Sequence, residues 1–310
     1  ACDESSEFAN ISLCEDYIGP GSNHPFADNN GINACGTCGV EDNSNCEGCT
    51  HLYAANYDPG ATLSCDETTH PYECGENNLT GENCCCSYGD LTSWYVNANP
   101  ELGHDGNIGT PDEPKATIQA AVDLAANGDT VYVYPGVYSP FNITNKHILV
   151  SSVFGADALD PAYPDVIIDA EGNGSAVRIE FSDNFPHDDF ASRVTLQGLI
   201  IQNGNYADGG GVHVKNGPAR LKHLHVRNNQ AENKGAGIYL WYTDNYENYH
   251  PNENEFHQLS NLIISGNSIT GNDNNDRGGG VYIRDSGTSG NRVSLNHITF
   301  HNNSCNGSGG

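Results

Sequence analysis

Four stretches of this chain align without gaps: LQGLIIQNG (196–204), LKHLHVRNN (221–229), LSNLIISGN (259–267) and LNHITFHNN (295–303). Apolar residues hold the first, fourth and sixth places of each, and Asn or Gly closes each one. Between them runs a second recurring element, GGGVHV (209–214), GAGIYL (235–240) and GGGVYI (278–283), in which glycines make a bend and period-two alternation resumes. Such self-similarity marks a solenoid, in which each turn buries a narrow apolar strip against the next. The four copies begin 25, 38 and 36 residues apart. The longer intervals hold polar inserts, YTDNYENYHPNENEF (242–256) and SGNSITGNDNNDR (265–277), which loops can carry while the strands stay stacked. Two strands and two bends per turn are predicted, and about six or seven coils from residue 130, at roughly 4.8 Å each, span about 30 Å.

Side chains alternate along a strand, so Val212/Val214, Ile238/Leu240 and Val281/Ile283 are expected to stack inside. His213, Tyr239 and Tyr282 then form an outward column and a candidate contact surface. Asn228, Asn229, Asn302 and Asn303 stand where bend-side amides can form ladders.

Upstream, WYVNANPELGHDGNIGTPDEPKATIQAAVDLAANGDTVYVYPGVY (94–138) runs from a short strand through an acidic glycine-rich loop to a helix with Ile118, Ala121, Val122 and Ala125 on one face. Gly128 stops that helix, and Val131, Val133 and Val137 follow in strand-like surroundings. A solenoid must shield its first coil, and an amphipathic helix at 115–126 is a suitable lid. The whole segment resembles the start of many secreted right-handed β-helix proteins, with the match strongest at Thr117-Ile118-Gln119 and from Gly128 to Tyr138. The paired Gly-Gly-x-Ile and Phe-x-Asn-Asn elements resemble the repeats of polymorphic outer-membrane proteins and related secreted β-helix adhesins. These resemblances imply an all-β chain: a right-handed parallel β-helix over 130–310, with an N-terminal strand and capping helix over 91–129. Gly307-Ser308-Gly309-Gly310 reads as the opening of another glycine bend, so the β-helix is expected to be incomplete at its C-terminus.

Eleven of the 12 cysteines (Cys2, Cys14, Cys35, Cys38, Cys46, Cys49, Cys65, Cys74, Cys84, Cys85 and Cys86) fall in the first part of the chain. That density points to a disulfide-held module over 1–90 in an oxidising compartment. Cys35/Cys38 and Cys46/Cys49 have a spacing zinc could use, but the seven cysteines around them favour disulfides. NACGTCGVEDNSNC (33–46) followed by GCTHLYAANYDPGATLSC (48–65) resembles small cysteine-rich modules of large secreted proteins from marine bacteria and algae. That resemblance implies a stalk or adhesive element. Cys305 makes the total even, so it is expected to reach back, to pair with another subunit, or to belong to a further coil. Asn-x-Ser/Thr triplets at Asn10, Asn78, Asn142, Asn173, Asn302 and Asn306 are glycosylation candidates, although a chain rich in Asn, Ser and Thr also produces such triplets by chance.

The charge of -28, from 40 acidic and 12 basic residues, sets aside nucleic acid and anionic membranes as partners. No Lys or Arg precedes Lys115, so the two parts carry different surfaces. No apolar stretch is long enough to span a bilayer, and the start at Ala1 is read as that of a mature, secreted chain without direct membrane insertion.

Three chemistries are weighed. Many parallel β-helices cleave acidic polysaccharides, by calcium-assisted elimination or by hydrolysis with paired carboxylates. The dense basic group Lys215, Arg220, Lys222 and Arg227 suits surface pairing with Asp208 and Glu232 as well as it suits a lyase. The polygalacturonase-like motif set is absent: Asp188-Asp189 stands alone and Arg178-Ile179-Glu180 lacks a final Lys. His213, His223 and His225 are close in sequence, as zinc ligands are, but belong on different strands or bends. Asp105, Asp112 and Glu113 are calcium candidates, with solvated loop charge as the simpler account. Trp241, Tyr242, Tyr246 and Tyr249 offer flat apolar faces to sugars or to a neighbouring subunit, or pack as a loop lid. The expected protein is therefore extracellular, structural or adhesive, a filament or hair subunit without catalysis. It would associate with itself or with other extracellular structural proteins. The alternatives are a carbohydrate-binding adhesin and a lyase of acidic glycans.

Overall fold

The computed structural model describes residues 47–48, 63–64, 91–182, 193–242, 257–273, 275–285 and 293–306. The chain divides into two compact units, Ala1–Leu91 and Thr92–Gly310. In the first, β1 (Glu47–Gly48) pairs in parallel with β2 (Leu63–Ser64). Its cysteines, and the candidate sites Asn10 and Asn78, lie outside the described residues.

The second unit is a parallel β-helix with three faces per coil. The first face stacks β3 (Ser93–Val96), β4 (Thr130–Val133), β7 (Leu149–Ser152), β10 (Val194–Gln202), β13 (Ala219–Arg227), β16 (His257–Ser265) and β19 (Val293–His301). Beside it, β5 (Gly136–Tyr138) and β8 (Val166–Asp169) align with the second half of β10. The second face holds β11 (Asn205–Asp208), β14 (Gln230–Lys234) and β17 (Ser268–Ile269). The third holds β6 (Phe141–Thr144), β9 (Val177–Glu180), β12 (Val212–Lys215), β15 (Ile238–Tyr242) and β18 (Val281–Asp285). Two strands per turn was therefore too few. The second-face strands bury little beyond Ala231 and Ile269, so no apolar period announces them; backbone hydrogen bonds between coils define them.

The aligned repeats fall on the nine-residue strands of the first face, which begin two residues before them, and each repeat bends at its third place. Gly198, His223, Asn261 and His297 all adopt left-handed backbone conformation, with φ of 70°, 49°, 54° and 54°. The pairing passes from Gln197↔Lys222 to Leu199↔Leu224 and skips the bent residue. In the β10 coil that residue must be glycine, because a Cβ there would meet the Gly155 carbonyl oxygen at 2.4 Å. A second left-handed corner follows at Asn203, Asn228, Gly266 and Asn302.

One place further on, asparagines point inward and form a ladder. Asn229 donates its backbone N–H and its Nδ2 to Asn267 Oδ1, each at 3.0 Å, and Asn267 does the same to Asn303 Oδ1 at 3.1 and 2.9 Å. Asn228 and Asn302, expected in such ladders, instead make the corner before it.

The apolar positions behave as alternation requires. Val212, Val214, Ile238 and Leu240 are fully buried, with Leu196, Leu221, Leu224 and Ile201 around them. Ile283 is 37% exposed and Leu295 54% exposed, because no described strand stacks beyond β18 and β19.

The lid at the other end is α1 (Ile118–Leu124). Ile118, Ala121 and Val122 pack into the core, and Thr117 caps the helix by accepting from Ala120 N–H. Asp105 Oδ1 accepts from the N–H groups of Ala116 (3.0 Å) and Thr117 (2.8 Å). At the far end Lys146 Nζ donates to the Val122 and Asp123 carbonyls at 2.7 Å. Gln119 closes the edge of the third face by exchanging two hydrogen bonds with the Asn142 backbone, as a neighbouring strand would. Asp105→Ala removes an acceptor for two helix-start donors and is expected to lower stability by about 1 kcal/mol. A urea midpoint that does not move would disprove that role.

Chain length varies mainly at one corner. Segments 181–193, 216–218, 243–256 and 286–292 each join a third-face strand to the next first-face strand.

Candidate functional site

The third face presents two rows of outward side chains, in register from coil to coil. One row runs Asn142, Arg178, His213, Tyr239, Tyr282; beside it runs Thr144, Glu180, Lys215, Trp241, Arg284. The inward residues between them (Ile143, Ile179, Val214 and Leu240) are fully buried, which fixes the outward set. The predicted column of His213, Tyr239 and Tyr282 is thus real, and Asn142 and Arg178 extend it.

The rows are tied by aromatic and cationic contacts. His213 and Tyr239 lie 5.1 Å apart between ring centroids, and Tyr239 and Tyr282 stack at 5.7 Å with planes 7° apart. Arg178 lies 4.7 Å over the Tyr206 ring, Lys215 and Arg284 5.1 and 5.4 Å from Trp241, and Lys234 5.9 Å from Tyr282. Covered in this way, His213 and Tyr239 are buried despite facing outward, with 7% and 3% exposure. Burial raises the Tyr239 phenol to about 12, helped by the charge of Asp208.

His213 is the centre of the group. Its Nδ1 lies 2.9 Å from the Asp208 carbonyl oxygen, which only accepts, so Nδ1 carries the proton. Its Nε2, buried and without a hydrogen-bond partner among the described residues, faces Glu180 Oε1 at 3.6 Å. Glu180 is also bound by Arg178. Burial, with Arg178 nearby, holds the imidazole below its ordinary value, and burial pushes the Asp208 carboxyl up. Next to this cluster an open cleft of about 240 Å³ is lined by Asn142, Ile143, Thr144, Arg178 and Glu180.

No protein-family model and no curated protein matches the chain. Among solved structures it is similar to a rhamnogalacturonan lyase, at 15% identity and a TM-score of 0.31, over 67% of this chain and 50% of that one. The chain spans about half the length of that protein. The expectation of a protein without catalysis is corrected here. The third face and the adjoining β11 bring together an imidazole (His213), two carboxylates (Glu180 and Asp208) and a guanidinium (Arg178) from three strands.

The other candidates fall elsewhere. The basic group disperses: Lys215 is on the third face, while Arg220, Lys222 and Arg227 point from the first, where Arg220 bonds Gln258 and Arg227 bonds Gln202. Asp208 stands beside His213 and Lys234, and Glu232 is exposed on β14. His213, His223 and His225 separate onto the third face, a corner and the first face, the different strands and bends expected of them. Asp105 is occupied at the helix start, and the structure does not gather it with Asp112 and Glu113 into a metal-holding group among the described residues. Cys305 lies against the small Ala231/Ala236/Ile269 cluster and has no disulfide partner among the described residues; the cysteines of the first part lie outside them. Asn142, Asn173, Asn302 and Asn306 are exposed. Tyr242 closes β15, and Tyr246 and Tyr249 lie outside the described residues. Among the described residues, no helix is long and apolar enough to cross a membrane.

Proposed function

We propose that this chain is an extracellular lyase that binds an acidic polysaccharide along its third face and cleaves it by β-elimination. The observation that carries the reading is the register of Arg178, His213 and Tyr239 beside Glu180, Lys215 and Trp241. A linear polymer laid along these rows meets one side chain of each row per coil, about every 4.8 Å. Four of the 12 basic residues, Arg178, Lys215, Lys234 and Arg284, stand on or beside this face. That local charge matters more than the overall -28, because charges beyond about 8 Å are screened at physiological salt. Export is supported by the cysteine density of the first part and by the exposed sequons at Asn142 and Asn173.

Elimination leaves an unsaturated uronate end, which absorbs in the ultraviolet. The full chain is expected to generate that absorbance from polygalacturonate, rhamnogalacturonan or alginate. Arg178→Ala is expected to weaken binding of the cleaved polymer about tenfold, the value of one charge-assisted contact. Binding with no unsaturated product would leave a carbohydrate-binding protein and remove the lyase.

Hydrolysis is the second reading, favoured by one observation: Asp208 and Glu180 flank His213, and burial pushes the Asp208 carboxyl toward its protonated form. Saturated new ends would select it.

A further inference from the structure

We infer that His213 is the proton acceptor of this face, with Nε2 as the accepting atom and Arg178 as the group that neutralises the substrate carboxylate. The inference rests on the lyase reading and assigns roles within it.

The argument begins with the bend at Gly209, whose φ is 72°. A Cβ there would meet Tyr239 Cβ and the Val212 carbonyl oxygen at 2.9 Å, and His213 Cα at 3.0 Å. This close approach folds 206–208 down onto the third face, and the Asp208 carbonyl reaches Nδ1. The tautomer is thereby set by backbone, which does not titrate. With Nδ1 as the donor, Nε2 keeps its lone pair, and among the described residues no donor occupies it.

A buried polar atom without a partner costs about 1–3 kcal/mol, so its persistence in a well-packed face calls for an explanation. The groups around it supply one. Arg178 and Glu180 come from β9, Tyr206 and Asp208 from β11, Tyr239 from β15, and Lys215 lies on its own strand. Lys234 and Arg284 act at one remove, near Asp208 and Tyr239. Arg178 stands one coil from His213 in the same row, so a carboxylate that displaced Glu180 from its guanidinium would place the carbon bearing it toward Nε2. Tyr206, 38% exposed and lying against Arg178, is the side chain that must move aside.

The step balances without a further reagent. Nε2 takes the proton from the carbon bearing the carboxylate, and the released electron pair forms the C=C bond as the C–O bond on the adjacent carbon breaks. The departing oxygen takes a proton from water, and the imidazolium returns its proton to solvent.

The test uses the full chain acting on whichever of the three polymers the wild type cleaves. His213→Gln is expected to bind that polymer within twofold of wild type while kcat falls at least about 100-fold, the usual weight of a positioned base. Added imidazole is expected to restore part of the activity of His213→Ala. The wild-type kcat/KM should fall as pH drops through a value below about 6.5, where Nε2 becomes protonated. That profile needs no variant, so it stands even if a substitution prevents folding. A His213→Gln protein retaining more than a tenth of wild-type kcat, or a wild-type rate unchanged between pH ~7 and ~4, would overturn this assignment alone. A wild type that forms no unsaturated product would overturn the lyase reading and this assignment with it.

Discussion

Asn267→Ala is expected to destabilise the solenoid by about 3–5 kcal/mol. Asn267 is fully buried, and its side chain makes four hydrogen bonds. Oδ1 accepts from the Asn229 backbone N–H and Nδ2, while Nδ2 donates to the Val226 carbonyl and to Asn303 Oδ1. Alanine leaves the Asn229 N–H and the Val226 carbonyl buried without these partners, at about 1–3 kcal/mol each. It also opens a hole against Gly237, whose surroundings include Asn267 Nδ2. Asn303→Ala is expected to cost less, since Asn303 is only half-buried and ends the described ladder. In a structure built by stacking, the loss falls on the interface between neighbouring coils. Urea unfolding that shows less than about 1 kcal/mol between Asn267→Ala and wild type would refute the ladder as a structural element.

Stability is also expected to fall with acid in a window set by His257. This imidazole is 3% exposed, and burial, with Arg193 adding charge repulsion, lowers it to about 3. In the unfolded chain it titrates near 6.5. Between those values the unfolded state holds a proton that the folded state does not, so stability is complete above about pH 6.5, declines as pH falls and levels off below about 3. At about 1.4 kcal/mol per unit the loss reaches at most about 4–5 kcal/mol, and local opening of the coil reduces it. Carboxylates titrate in the same range, so the measurement is a difference. His257→Gln should flatten the decline between pH ~6 and ~4 relative to wild type, and parallel profiles would exclude His257 as its source.

Much of the fold was legible because its signals were periodic. The 1-4-6 pattern of the four repeats placed the first face, and the glycine bends placed β12, β15 and β18 on the third. The amphipathic run at Ile118 gave the lid. What escaped had no period to show. The second-face strands are short and polar, and the left-handed bends at His223, Asn261 and His297 fall on residues whose type does not demand that conformation. Half of the candidate site was visible as the column His213, Tyr239, Tyr282. Arg178 and Glu180 were judged as a broken motif, although VRIE (177–180) has the same in-out alternation as VHVK (212–215). Aligning FNIT (141–144), VRIE, VHVK, IYLW (238–241) and VYIR (281–284) on their buried positions would have assembled both rows. The Nδ1 contact to the Asp208 carbonyl had no sequence signal, because it depends on how far the Gly209 bend folds the chain back.

Most of the segments that vary in length leave the coil at the end of a third-face strand, after Lys215 in the β12 coil and after Tyr242 and Asp285 in the next two. Residues can therefore be inserted at the border of the candidate site while every buried strand keeps its register. The coil works as a frame with exchangeable trim, and new preferences for a polymer can evolve by lengthening or rewriting those connections, with the folding of the frame left intact.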